Sequence, residues 1–375
     1  MLEHFQTKLP DMLQLLKELV ELESPSQDKV AIDRLVAHLE QVVTDFGGRA
    51  EVVELPERGN HLLGTFGRGE EQLLILCHID TVWDVGETAK RPFRIEDGKA
   101  YGPGVSDMKV GSVQALYALK HLVEQNWPLS CQVKILFNSD EETGSQTSRR
   151  LIEQLAKQSR AVFVLEPSIP PQGALKTGRK GVGRFDIKVE GVASHAGADP
   201  EKGASAVLEM AKQIVWLHSL NDFSKGTTVN VGVVRGGTRP NVVAAEAHGE
   251  IDLRVATMEE AERVVPAILA RQAETPGTKV TITGGLNRPP MERSERIVEL
   301  YRLAERIADE LGIEICEGTT GGGSDGNFTA ALGIPTIDGL GAVGGGGHAI
   351  TEFLYVDKIP ERTALLTRLL MEVGR

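Results

Sequence analysis

Apolar residues fall into two kinds of spacing along the chain. Over 11–22 and 29–46 they recur three and four positions apart, the repeat of an amphipathic helix. Arg49–Leu55, His61–Phe66 and Gln72–His78 instead read as strands, the last nearly continuous through Leu73-Leu74-Ile75-Leu76-Cys77. Helices follow at 109–125 and 145–158, and strands at 131–138 and 160–165. Strands alternating with helices predict an α/β sheet covered on both faces.

The rhythm changes near Gly178. A strand over 182–190, a helix over 204–220, strands over 227–235 and 243–255, a helix over 258–273 and a strand over 279–284 give the order β-α-β-β-α-β. That is the ferredoxin-like unit, about the size of a small independent domain. The first style then returns, with a helix over 294–311, a strand over 313–316, a helix over 326–332 and a last helix from Ile359. The smaller domain, residues 178–290, is therefore predicted to be inserted into a larger one made of 1–177 and 291–375.

Composition narrows the function more than the fold. The 375 residues carry 53 acidic against 41 basic side chains, a net charge of −12, and no basic cluster stands out. That argues against a nucleic-acid partner. No apolar run approaches a membrane span, and the N-terminus lacks a charged-then-apolar leader. Cys77, Cys131 and Cys316 are scattered and odd in number, which fits free buried thiols in a reducing cytoplasm.

The chemistry concentrates where strands end. His78, Asp107, the pair Glu141 and Glu142, and Glu166 each follow an apolar run or a glycine-rich turn, where an α/β sheet presents its functional loops. Far downstream, His348 follows four glycines. Two histidines and four carboxylates at such places suggest a two-metal hydrolase site. The mixed donor set suits zinc, and an Asp between two ions can bridge them.

Each motif also has a plainer reading. Asp107 alone would pass for a helix N-cap. Asp140-Glu141-Glu142 alone would pass for a solvated loop, but after Leu136-Phe137 the acids crowd at a sheet edge, where a cation relieves their repulsion. One of the pair can then bind metal while its neighbour acts as general base. In His78-Ile79-Asp80-Thr81, Asp80 is placed to orient the imidazole. The glycine runs 321–323 and 344–347 lack the Lys-Ser/Thr of a phosphate loop and instead let backbone approach a small substrate. His4, His38, His61, His121, His218 and His248 have no motif around them and read as surface or structural residues.

These residues resemble the M20 family of zinc exopeptidases, most nearly its glutamate carboxypeptidase (carboxypeptidase G2-like) branch. The likeness runs through His78-Ile79-Asp80-Thr81-Val82, Gly102-Pro103-Gly104 with Asp107-Met108-Lys109, Asp140 to Ser145, and Glu166-Pro167. It continues in Ser194-His195-Ala196-Gly197, Pro240-Asn241, Asp252-Leu253-Arg254, Gly321 to Asp325, and His348. The resemblance implies a zinc-exopeptidase α/β sandwich with the insertion as lid and dimerisation domain. It implies two Zn2+ per chain, replaceable by Co2+ or Mn2+: His78 and Glu166 on one, Glu142 and His348 on the other, Asp107 bridging, with a cis peptide at Asp107-Met108.

The same resemblance makes Glu141 the base, which joins Asp80, the residue that orients His78, in the catalytic set. His195 becomes a lid residue reaching the other subunit of a homodimer, and Asn241, Arg254, Arg288, Gly323 and Ser324 become substrate contacts. From the residues alone, His195 is a turn residue before glycine, and Arg254 has a competing ion pair with Asp252 or Glu250. Glutamate preference needs a further cation, Arg288 or Lys176. The four glycines before His348 depart from the family pattern, which bears on substrate choice. The expectation is a cytoplasmic carboxypeptidase acting on a small peptide or N-acyl amino acid, with an aminoacylase as the alternative. A catalytically dead metal scaffold would be expected to lose its base first, and Glu141 is present.

Overall fold

The computed structural model describes residues 1–128 and 130–375, which divide into two compact units. The larger comprises Met1–Gly178, Arg293–Thr320 and Ser324–Arg375, and the smaller Arg179–Glu292 with Gly321–Gly323.

The larger unit is built on a six-stranded sheet in the order Arg49–Val53, His61–Gly67, Gln132–Asn138, Gln72–His78, Ser159–Val164, Thr336–Ile337. The last four of these run parallel, and the first two join antiparallel. Gln72–His78 lies inside the parallel part and is buried throughout. Its alternate residues serve two cores, as period-two geometry requires. Leu73, Ile75 and Cys77 pack with the helices Leu2–Glu21, Lys29–Asp45, Val110–Glu124 and Lys358–Val373, while Leu74 and Leu76 pack with Arg149–Lys157 and Phe328. A strand buried on both sides loses the polar alternation of an exposed sheet, which explains its continuous apolar run.

The smaller unit has an antiparallel sheet in the order Thr228–Gly236, Glu246–Val255, Gly181–Glu190, Lys279–Arg288. Phe185, Ile187 and Val189 face the helices Ala206–His218 and Met258–Leu269, and the residues between them stay polar. This is the expected ferredoxin-like arrangement. Ser205 and Thr257 cap the two helices by accepting from Leu208 N and Glu260 N, each cap contributing about 0.5–2 kcal/mol.

Several elements differ from expectation. The first helix starts at Leu2, and Pro10 lies inside it with Phe5, Met12, Leu16 and Leu19 all buried along one stripe. The helix expected from Ser145 begins at Arg149, because Ser145 has φ +56° and the Thr147 and Ser148 side chains bond Asp140. No strand covers 313–316. Ile313 instead closes the preceding helix by donating to Ala308 O, and the strand is Glu317–Thr320, paired with Leu175–Arg179. Cys316 is exposed, against the expectation of three buried thiols.

A small sheet of Gly344–Gly345, Phe353–Tyr355, Lys99–Tyr101 and Arg94–Glu96 went unforeseen, its strands being two or three residues long. No helix among the described residues is long and apolar enough to cross a membrane.

Candidate active site

Five donors gather at the ends of these elements within the larger unit. His78 closes its strand, Glu166 follows Ser159–Val164, and Glu142 sits on the one-turn segment after Gln132–Asn138. Asp107 lies on the turn after Lys99–Tyr101, and its peptide to Met108 is cis. His348 lies at φ +63° on the loop that joins the strands Gly344–Gly345 and Phe353–Tyr355.

The donors form two clusters sharing one residue: His78, Asp107 and Glu166 in one, Asp107, Glu142 and His348 in the other. His78 Nε2 is 3.0 Å from Asp107 Oδ1 and 3.6 Å from Glu166 Oε1. His348 Nε2 is 3.4 Å from Asp107 Oδ2 and 3.1 Å from Glu142 Oε2. Each oxygen of Asp107 thus faces a different imidazole. Gly347 is bare at this point, where an added Cβ would come within 3.4 Å of Asp107 Oδ2.

Protons reveal how strongly this cluster calls for positive charge. Burial disfavours a charged His78, yet hydrogen bonds to Asp107 and Asp80 overcome it and hold the imidazole well above its ordinary pKa. Asp107 and Glu142 together raise His348 to about 11. Burial opposes the ionised Asp107, but both imidazoles hold it far below the usual carboxylate range. For Glu142, burial wins over the His348 contact and pushes the group up. Three carboxylates and two imidazoles without a thiolate are a donor set suited to a divalent ion such as zinc, which would replace those protons.

Asp80 is wholly buried and ties two donor loops together. Its carboxylate lies 3.5 Å from His78 Nδ1, whose nearer partner is the Asp80 carbonyl at 3.0 Å. That contact places a proton on Nδ1 and leaves Nε2 as a donor to metal. The same carboxylate accepts from Glu141 N, Glu142 N and Ser26 Oγ. Glu141 belongs to neither donor cluster.

A layer below went unread in the sequence. Asp140, first of three consecutive acids, turns inward and accepts from Thr147 N, Thr147 Oγ1 and Ser148 Oγ, bonds that outweigh its burial and hold its pKa down. His61 bridges Ser139 and Thr147. Asp325 accepts from Asn138 Nδ2 and Ser145 Oγ. The available signal was the Ser/Thr cluster of 145–148 close behind an acid, which favours side-chain hydrogen bonding over helix.

The expected recognition residues have other surroundings. In the smaller unit, exposed His195 pairs with Val242, and its Nδ1 accepts from Gly197 N and Ala198 N. Its proton is therefore on Nε2. Asn241 is adjacent, its carbonyl accepting from Ala196 N. Arg254 makes a two-pronged pair with Asp252 at 2.8 and 2.9 Å and donates to Gly321 O, so the competing ion pair is present. Arg288 is buried against Gly323, where any Cβ would sit 2.8 Å from its Cδ. In the larger unit, Lys176 is buried. Ser324 is wholly buried and its hydroxyl donates to Asp338.

An α/β sheet covered on both faces, with paired donor clusters at its strand ends, defines the class, and sequence comparison defines the family. Residues 74–372 match the model of Peptidase family M20/M25/M40, and the chain belongs to that family. It is 32% identical over 373 residues to carboxypeptidase G2 of Pseudomonas sp. (strain RS-16), covering 97% of this chain and 90% of that one. It is 30% identical over 268 residues to acetylornithine deacetylase of Proteus mirabilis (strain HI4320), covering 66% and 67%. Its fold matches a dinuclear metal-binding M20 peptidase from Bacillus subtilis with a TM-score of 0.72 at 16% identity, over 98% of this chain and 99% of that one. The protein is a hydrolase of this metal-dependent family.

Proposed function

We propose that the protein is a two-zinc carboxypeptidase that hydrolyses the amide bond to a C-terminal amino acid, glutamate above all, in short peptides or N-acyl amino acids. The observation that carries this reading is Asp107, with one oxygen toward each of two imidazoles. His78, Asp107 and Glu166 would hold one divalent ion and Asp107, Glu142 and His348 the other, and the pair would supply Lewis acidity toward the scissile carbonyl and a water. Glu141 removes a proton from that water and delivers it to the leaving amine. Asp80 keeps His78 turned and the Glu141–Glu142 turn fixed, through the bonds already described. His195 offers its Nε2 proton to the developing oxyanion, from the partner subunit.

Arg254 recognises the free α-carboxylate with the planar fork now engaged by Asp252, aided by Asn241. Arg288 or Lys176 supplies the second cation for a glutamate side chain. The smaller unit serves as lid and dimerisation domain. Support for a second copy comes from its exposed apolar residues: Val207, Leu208 and Val215 on one helix and Val234 on the edge strand Thr228–Gly236.

The deacylase reading draws on the identity to acetylornithine deacetylase. Acyl-glutamates offered as free acid, as C-terminal amide and as the N-acetyl compound separate the two. A carboxypeptidase cleaves the peptide free acid and loses at least about tenfold in kcat/KM on the amide. Equal rates on acid and amide would overturn the reading in favour of the deacylase.

A further inference from the structure

Glu352 is a buried carboxylate, 1% exposed, that none of the chemistry above uses. It lies four residues after His348, at the foot of the hairpin formed by Gly344–Gly345 and Phe353–Tyr355. Phe353 pairs with Tyr101, so the hairpin is zipped to the strand that leads into the Asp107 turn. From this junction Glu352 reaches across to that turn. Its Oε1 accepts from Ser106 N at 2.8 Å and Asp107 N at 3.0 Å, and its Oε2 from Gly104 N at 3.0 Å. Trp83 Nε1 approaches Oε2 at 3.4 Å. Three backbone N–H groups converging on one carboxylate form an anion nest built inside the protein.

The turn has few other ways to satisfy those amides. Gly104 is at φ +69°, and Asp107 departs from helical angles at φ −115° and ψ 94°. A buried N–H without a partner is costly, so removing the carboxylate frees the turn to rearrange. The other end of the tie is the loop of His348, whose imidazole is half exposed and whose approach runs through four glycines. Glycine leaves that loop the most conformational freedom of any residue. Glu352 joins the turn carrying Asp107 to the loop carrying His348 through the backbone of the turn.

We propose that Glu352 is a positioning residue that sets the spacing between the Asp107 carboxylate and the His348 imidazole, and so the geometry of the second metal position. The proposal rests on Asp107 and His348 being metal ligands. It concerns a carboxylate that would not touch metal and acts through the backbone of one ligand and the loop of the other.

The test compares Glu352→Gln, Glu352→Ala, Asp107→Asn and His348→Ala with wild type, by titrating zinc and cobalt into chelated protein and recording the visible spectrum of the cobalt form. Loss of a partner behind a ligand typically weakens metal affinity by about 10–100-fold. Both Glu352 variants should show that loss for one of two ions, an altered cobalt spectrum, and a fall in kcat with KM within about threefold. A residue serving stability alone would lower the unfolding temperature and leave affinity and spectrum unchanged, and that result overturns the proposal.

If Asp107→Asn and His348→Ala bind both ions as wild type does, the metal assignment itself fails. If those two lose metal and the Glu352 variants do not, only the positioning role fails. A wild-type measurement covers variants that do not fold. The amides of Gly104, Ser106 and Asp107 should exchange slowly with solvent hydrogen even in chelated protein, and free exchange there overturns the tie.

Discussion

The donor cluster of the larger unit and the proposed recognition residues of the smaller one are held by opposite means. His78, Asp107 and Glu142 stand on turns whose own amides and side chains are bonded to buried carboxylates, those of Asp80, Asp140 and Glu352. His195 and Asn241 are exposed on neighbouring loop segments, and Arg254 is paired with Asp252 from its own strand. One region is fixed before any ligand arrives. In the other, Arg254 must exchange its Asp252 partner to meet a carboxylate as proposed.

The largest break in this comparison should come from Glu141→Gln. The residue stands on the rigid side yet in neither donor cluster. Turnover should fall about 10²–10⁴-fold with metal content unchanged, measured by steady-state rates beside elemental analysis. Mixing this variant with His195→Ala joins the two regions in one experiment. Random exchange of dimers should restore about a quarter of wild-type activity, because half the dimers then hold one complete site. Proven exchange without recovery would place His195 on its own subunit's site or outside catalysis.

A smaller effect should follow from the smaller unit. Arg254→Ala should raise KM for free-acid substrates about 10–100-fold while leaving metal content alone. Asp252→Asn sharpens the point: releasing Arg254 from its partner should lower KM if the pair competes with substrate, and raise it if the pair aims the guanidinium.

The smallest effect is in pH dependence. His78 and His348 both lie above their ordinary value of 6.5 when the cluster holds protons, His348 at about 11. A raised folded-state pKa stabilises fully below the unfolded value and is lost as pH rises through the folded one. Chelated protein should therefore lose a few degrees of unfolding temperature between about pH 7 and pH 10 that zinc-loaded protein keeps. Scanning calorimetry of both forms checks it.

The sequence was legible where one force dominates. Gln72–His78 is readable because burial on both faces demands an unbroken apolar run, and that run delivers His78 to a sheet end. Asp107 and Glu142 were findable because acids at such ends need a cation. Competition among forces hid the rest. Ser145 to Ser148 carry helix-compatible spacing, but their hydroxyls and amides serve Asp325 and Asp140. The strands Gly344–Gly345 and Lys99–Tyr101 are too short to show a period. Ser324 sits in a glycine-rich motif that suggests ligand, and only packing shows its hydroxyl turned to Asp338. Whether Arg254 stays with Asp252 depends on two residues spaced as neighbours on one strand face, which spacing alone left open.

The pairing of Phe353 with Tyr101 has a consequence for the chain as it is made. Asp107 and His348 stand 241 positions apart, the difference of their numbers, with the whole smaller unit between them. At about 5–20 residues per second, the ribosome needs roughly 10–50 s to travel from one to the other. By the end of that interval the emerging polypeptide holds His78, Asp107, Glu142 and Glu166 but still lacks His348. The hydrolase therefore completes its donor set only once His348 has been made, after the smaller unit has had time to fold.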